Sequence, residues 1–171
     1  MNLLLDTNIL LYISRAVDVP GIVSFINPDN SLLYLSVVSE AEIRSLAIRK
    51  KWGAKRLYFL EGFLEEANII EVTQSFVKTY IQIETYSQRL NPNFDSYHFD
   101  TPRNMGKNDL WIASATAFLG LKLVTTDADF DHLHNVFFEV KKYSLRNLFH
   151  SFRLPENFSR PSQKHIFIND F

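Results

Sequence analysis

Four acidic side chains sit where a metal-binding or acid–base site could draw on them together. Asp6 ends the apolar run Asn2-Leu3-Leu4-Leu5-Asp6, Glu42 lies early in a helical pattern after the run Leu32 to Leu35, Asp109 opens Asp109-Leu110-Trp111-Ile112-Ala113, and Asp127 follows Leu123-Val124-Thr125-Thr126. Carboxylates brought close together repel one another, so a cation is needed to make the cluster tolerable. Hard divalent ions such as Mg²⁺ take oxygen ligands, and these residues offer nothing else. Each acid also has an ordinary use. Asp6 is a good helix N-cap, and Ser39-Glu40-Ala41-Glu42 has the spacing of a capping box. Asp109 suits a helix dipole, and Asp127 suits a turn. What favours a shared purpose is that all four recur at corresponding places in one repeating layout.

That layout is the alternation of strands and helices. Short continuous apolar runs read as strands buried on both faces, here at about 2–6, 32–35, 69–72, 121–125 and 136–140. Helical periodicity predicts helices at about 8–15, 20–27, 37–51 (capped by Ser36), 54–67, 73–90 (capped by Thr73) and 109–119 (stopped by Gly120), and a short one at 128–133. This order predicts a three-layer α/β/α sandwich around a central, mainly parallel sheet. In such a sheet ligands bind beyond the carboxyl ends of the strands, the rim where Asp6, Asp109 and Asp127 are expected to converge, with Glu42 on an adjacent helix.

Composition sets the outer limits. A chain of 171 residues is expected to form a single domain, 1–171, with a core over about 1–140 and a C-terminal extension over about 141–171. The absence of cysteine excludes disulfides and thiolate metal sites and fits a reducing cytoplasm. The start of the chain lacks the basic region of a signal peptide, and no apolar stretch is long enough to span a bilayer. A net charge of -1 gives no global attraction for a polyanion, so any nucleic-acid binding must rely on local groups. Arg44, Arg49, Lys50, Lys51, Lys55 and Arg56 form a basic run that reads first as a solvated helix face. Arg103 and Lys107 lie nearer to Asp109. The histidines, His132 and His134 among them, follow no ligand pattern and read as solvated.

Four segments carry a resemblance: Leu3-Leu4-Leu5-Asp6-Thr7-Asn8-Ile9-Leu10, Ser36-Val37-Val38-Ser39-Glu40-Ala41-Glu42-Ile43, Asn108-Asp109-Leu110-Trp111-Ile112-Ala113-Ser114-Ala115 and Leu123-Val124-Thr125-Thr126-Asp127-Ala128-Asp129-Phe130. In order and spacing they resemble the PIN-domain ribonucleases, and among these the VapC-type toxins of toxin–antitoxin pairs. The resemblance covers roughly residues 1–140. It implies that Asp6, Glu42, Asp109 and Asp127 are the catalytic and metal-binding acids, holding Mg²⁺ or Mn²⁺. It implies that Asn8 and Thr126 support them by hydrogen bonds, with Asp129 a weaker member. It also implies an RNA substrate and a small antitoxin partner. A homodimer is expected on general grounds.

Two departures from that family stand out, a long loop over 91–108 and the tail beyond about Lys141, which carries Leu145, Leu148, Phe149 and Phe152 at helical spacing. Two other functions compete with a ribonuclease. One is a degenerate scaffold that binds RNA or protein, which four intact acids speak against. The other is a phosphohydrolase with an aspartate nucleophile, which usually wants a second acid where Asn8 stands. The apolar and aromatic excess from Leu57 to Leu64 is more than one core face can hide and is expected to bind a second copy or the antitoxin.

Overall fold

The computed structural model describes residues 1–144 and Leu148. Five strands form one sheet: β1 (Leu3–Leu5), β2 (Leu33–Ser36), β3 (Asn68–Ile70), β4 (Lys122–Thr125) and β5 (Glu139–Lys142). Six helices connect them: α1 (Thr7–Ile13), α2 (Val19–Ile26), α3 (Val37–Arg49), α4 (Ala54–Glu66), α5 (Val77–Ser87) and α6 (Lys107–Phe118). The sheet order is β3-β2-β1-β4-β5, and every pairing is parallel.

The three-layer expectation is met because strand side chains alternate between faces. In β1, Leu3 and Leu5 join the core layer under α1 to α4, with Ile9, Ile13, Ile22, Ile26, Ile43 and Leu60. Leu4 points the other way, to Ile83, Tyr86, Ile112 and Leu123 under α5 and α6. A central strand that must fill both layers has no use for a polar residue, hence Leu-Leu-Leu.

Several boundaries differ from the sequence reading. The helix expected over 73–90 is a 3-10 turn, Gln74–Phe76, followed by α5, and Thr73 makes no side-chain cap. The helix expected from Asp109 begins at Lys107, after Gly106. Residues 131–133 form only a 3-10 turn, and the last strand lies at Glu139–Lys142 rather than 136–140. The run Val136-Phe137-Phe138 is apolar because it packs on the α5–α6 layer, not because it pairs in the sheet. Ser36 caps α3 as expected, accepting from Val38 N at 3.2 Å. Of the tail stripe, Leu148 is buried in the α1–α4 layer, and the rest lies outside the described residues.

Candidate active site

The strand order reverses at β1. The chain runs outward from β1 through β2 to β3, then returns to the other side of β1 for β4 and β5. A crevice must open beyond the carboxyl ends of β1 and β4, where connections leave in opposite directions. Asp6 leaves β1 at that point, its amide donating to Val124 O at 3.0 Å across the gap. Asp127 follows β4. Helices run back against the strands they connect, so α3 and α6 both start at this rim and bring Glu42 and Asp109 in their early turns.

Asp6 stands at the N-cap position of α1, yet its side chain does not cap the helix. Its Oδ2 instead accepts from Thr125 Oγ1 at 2.7 Å, a buried bond. Thr125 Oγ1 in turn accepts from Asp127 N at 2.9 Å, and Asp127 Oδ1 accepts from Asp129 N at 3.0 Å. Glu42 is held from both sides: Thr7 Oγ1 donates to Oε2, and Asn108 Nδ2 donates to Oε1 at 2.7 Å. The supporting side chains are therefore Thr7, Asn108 and Thr125, and not the expected Asn8 and Thr126. In each of those two cases the neighbour in sequence does the work. The signal was present, since Thr7, Asn108 and Thr125 all lie within the four motif segments. Choosing between adjacent residues needed to know which one points into the rim.

The four acids are close enough to act on one another's charge. The Asp6 carboxyl is raised to about 7, chiefly by burial, with the charges of Asp127 and Glu42 adding and the Thr125 hydrogen bond opposing. Asp109 is raised to about 8, first by burial and then by the charges of Asp6, Asp127, Glu42 and Asp129. No lysine or arginine is paired with Asp6 or Asp109 among the described residues, whereas Arg44 pairs with Glu40 and Glu61, Lys122 with Glu139, and Lys142 with Asp131. Gly106 matters here because a Cβ on it would lie 2.8 Å from Asp109 Oδ2. The bare backbone lets that carboxylate turn back over the start of α6.

The donor set is all oxygen and anionic, which fits a hard divalent ion. Its geometry is not that of a finished metal cage: among the described residues no three His, Cys, Asp or Glu side chains form a ready ligand set. Both oxygens of Glu42 are held by protein donors, Thr7 Oγ1 and Asn108 Nδ2.

One other expectation changes, and one is met in part. His132 is buried, not solvated, with its Nε2 2.7 Å from Ser87 Oγ, while His134 is exposed and accepts from Val140 N at 2.9 Å. In α4, Leu60 and Leu64 are core, whereas Tyr58, Phe59 and Phe63 line an open groove of about 1170 Å³ with Val19, Pro20 and Val23 of α2. No helix among the described residues is long and apolar enough to cross a membrane.

With this fold and site the chain matches the PIN domain over residues 3–135, and it belongs to that family. No curated protein matches it. Among solved structures it is similar to VapBC2 from Rickettsia felis bound to a promoter DNA fragment (20% identity, 84% of this chain and 100% of that one, TM-score 0.65). It is also similar to the DNA-bound VapBC of Salmonella typhimurium (20% identity, 83% and 98%, TM-score 0.60). A third is the toxin–antitoxin pair VapBC-5 of Mycobacterium tuberculosis (21% identity, 82% and 97%, TM-score 0.57). At these identities the likeness establishes the fold.

Proposed function

We propose that this protein is a metal-dependent endoribonuclease and the toxin of a toxin–antitoxin pair. The observation that carries the reading is the pair Asp6 and Asp109. Both are raised by burial and by neighbouring acids to about 7 and about 8, at the switch point of a PIN fold, with no cationic side chain paired to them among the described residues. Buried like charges are expensive unless something compensates them.

Asp6, Glu42, Asp109 and Asp127 would hold Mg²⁺ or Mn²⁺, with Asp129 at the edge of the set. Such an ion, when bound, lowers the pKa of a water and neutralises charge on a phosphate under attack. The chain's own contribution is placement. Thr125 fixes Asp6, while Thr7 and Asn108 fix the Glu42 carboxylate. Asp109 lies at the start of α6 among the other acids, where burial and their charges raise its carboxyl to about 8, and a bound divalent ion would favour its ionised form as a ligand. Arg103 and Lys107 are exposed on the approach to Asp109 and can meet the phosphates of an extended strand. Arg44 is committed to Glu40 and Glu61, so it is a poor phosphate contact.

The similar structures are VapBC toxin–antitoxin pairs, which supports a small antitoxin as partner. The α2–α4 groove suits an amphipathic segment of it. Arg56 lines the groove without a carboxylate partner among the described residues, and its guanidinium lies 3.1 Å from the Trp52 ring centroid. An acidic side chain on the antitoxin segment would complete it. Homodimerisation would draw on Val77, Ile81 and Phe118, exposed apolar residues on α5 and α6.

The test is cleavage of labelled RNA with Mn²⁺ or Mg²⁺, with EDTA, and with Asp6→Asn, beside a generic phosphomonoester. Metal-dependent cleavage of RNA alone, lost in Asp6→Asn, is the expected result. RNA binding without cleavage under any metal would favour the degenerate scaffold, and turnover of the monoester would favour a phosphohydrolase.

A further inference from the structure

Ser87 ends α5, and its hydroxyl is 1% exposed, 2.7 Å from Nε2 of His132 and 2.8 Å from Ile83 O. His132 is 6% exposed, and its ring also hydrogen-bonds the backbone of Asp129. These contacts meet two different paths to the acids. One runs from His132 to the Asp129 peptide, whose N–H donates to Asp127 Oδ1, then from Asp127 N to Thr125 Oγ1, and so to Asp6. The other runs along the chain. Arg103 N donates to Ser87 O at 2.8 Å, Gln88 Nε2 donates to Arg103 O at 3.1 Å and to Asn104 Oδ1 at 2.9 Å, and Met105 Sδ lies 3.5 Å from Ser87 Oγ. The residues that follow are Gly106, Asn108 and Asp109.

Most of the long loop after α5 is built around the same point. Tyr86 stacks parallel to the His132 ring (6°), Phe99 meets that ring edge-on at 5.1 Å, and His98 Nε2 lies 3.1 Å from His132 O. A buried serine–imidazole pair with no open approach is no nucleophile. Its neutral ring has one nitrogen to give and one to receive, so it can join two segments that share no secondary structure.

We propose that Ser87 and His132 are positioning residues for the acid site: their hydrogen bond ties the segment carrying Asn108 and Asp109 to the turn carrying Asp127 and Asp129. Their effect on the chemistry rests on the function proposed above, whereas the tie itself does not. Groups that hydrogen-bond a metal ligand directly change metal affinity by about 10- to 100-fold when removed, and Ser87 and His132, which act through one or more further bonds, belong at or below the lower end of that range.

The test uses the full chain as wild type, Ser87→Ala, His132→Leu and His132→Gln, with Ile26→Val as a core change in the opposite layer. Amide hydrogen exchange over 103–110 and Mn²⁺ affinity by water-proton relaxation are measured beside Tm. Ser87→Ala and His132→Leu should speed exchange at 103–110 and weaken Mn²⁺ about tenfold. His132→Gln, which can both donate and accept, should recover much of each, and Ile26→Val should change Tm alone. Unchanged exchange and Mn²⁺ affinity in Ser87→Ala and His132→Leu would overturn the proposal, as would equal losses in Ile26→Val. Should Ser87→Ala alone fold, its exchange decides. A wild type that binds no Mn²⁺ would overturn the ribonuclease reading and the metal arm, while exchange at 103–110 still decides the tie.

Discussion

Asp6 is 2% exposed, and its carboxyl is raised to about 7 from an ordinary 3.8. A raised acid in the folded state holds its proton when the unfolded chain has lost it. Folding is then penalised as pH rises through that window, by on the order of 4 kcal/mol once both states are ionised. Asp109, raised to about 8, extends the same penalty upward. The metal-free protein is therefore expected to lose stability from pH 5 to 8. Asp6→Asn should recover about 2 kcal/mol at pH 8 while abolishing cleavage, because the amide keeps the volume and sheds the charge. Thermal melts at pH 5 and 8 in EDTA, beside RNA cleavage, check both halves. Gly106 supplies a sharper residue-scale case. Its φ of -60° suits any side chain, but a Cβ would crowd Asp109 Oδ2 at 2.8 Å. Gly106→Ala should leave Tm within about 1 kcal/mol of stability and cut RNA cleavage by roughly tenfold or more, which corresponds to about 1.4 kcal/mol in the transition state. Full activity in that variant would mean that the pose of Asp109 does not matter.

At the scale of elements, the 3-10 turn at 131–133 and the long loop after α5 behave as one unit around His132. Burial and nearby Arg103 lower the imidazole to about 4 from an ordinary 6.5. The folded state thus binds fewer protons than the unfolded chain between those values. The stability involved is present above about 6.5 and is lost as pH falls toward 4. This slope is opposite to that of the two acids, which together outweigh it, so between pH 4 and 6.5 it only softens the fall in stability that Asp6 and Asp109 impose. His132→Gln should therefore steepen the fall between pH 4 and 6.5 and leave the slope above 6.5 unchanged. Melts of both proteins across pH 4 to 8 in EDTA measure it, and an unchanged slope below 6.5 would show that His132 does not titrate there. The loop over 91–108 read as a departure from the family because of its length, and its residues carry no periodic pattern to place it. What orders it is aromatic packing on Tyr86, including Phe94 at 4.5 Å and Tyr97 at 5.1 Å. Such contacts join residues far apart in sequence and leave no local pattern.

For the whole molecule, the acid rim and the α2–α4 groove are separate surfaces. The groove is lined by Arg15 after α1, by Leu32 and Leu33 where β2 starts, and by Asn68 where β3 starts, all at the edge opposite the strand ends that lead to Asp6 and Asp127. A partner held in the groove must reach across the molecule to silence the acids. Arg56→Glu should weaken antitoxin binding by at least tenfold through charge reversal and leave RNA cleavage by the free protein unchanged. Calorimetric titration against the antitoxin, with a cleavage assay in parallel, checks this. Intact binding would place the partner elsewhere.

The apolar runs and their spacing were enough to determine the layered parallel architecture, because burial on both faces of a strand and on one stripe of a helix is written locally. The same local logic placed the four acids at strand ends and helix starts. Tertiary structure alone decided which neighbours serve them. Thr7 rather than Asn8 and Thr125 rather than Thr126 make the bonds, since a shift of one residue turns a side chain to another face. It also decided that His132 is buried against Ser87, a pairing across a separation of 45 residues. The raised carboxyls likewise come from convergence in space: Asp6 and Asp109 share one crevice only because the strand order reverses beside β1.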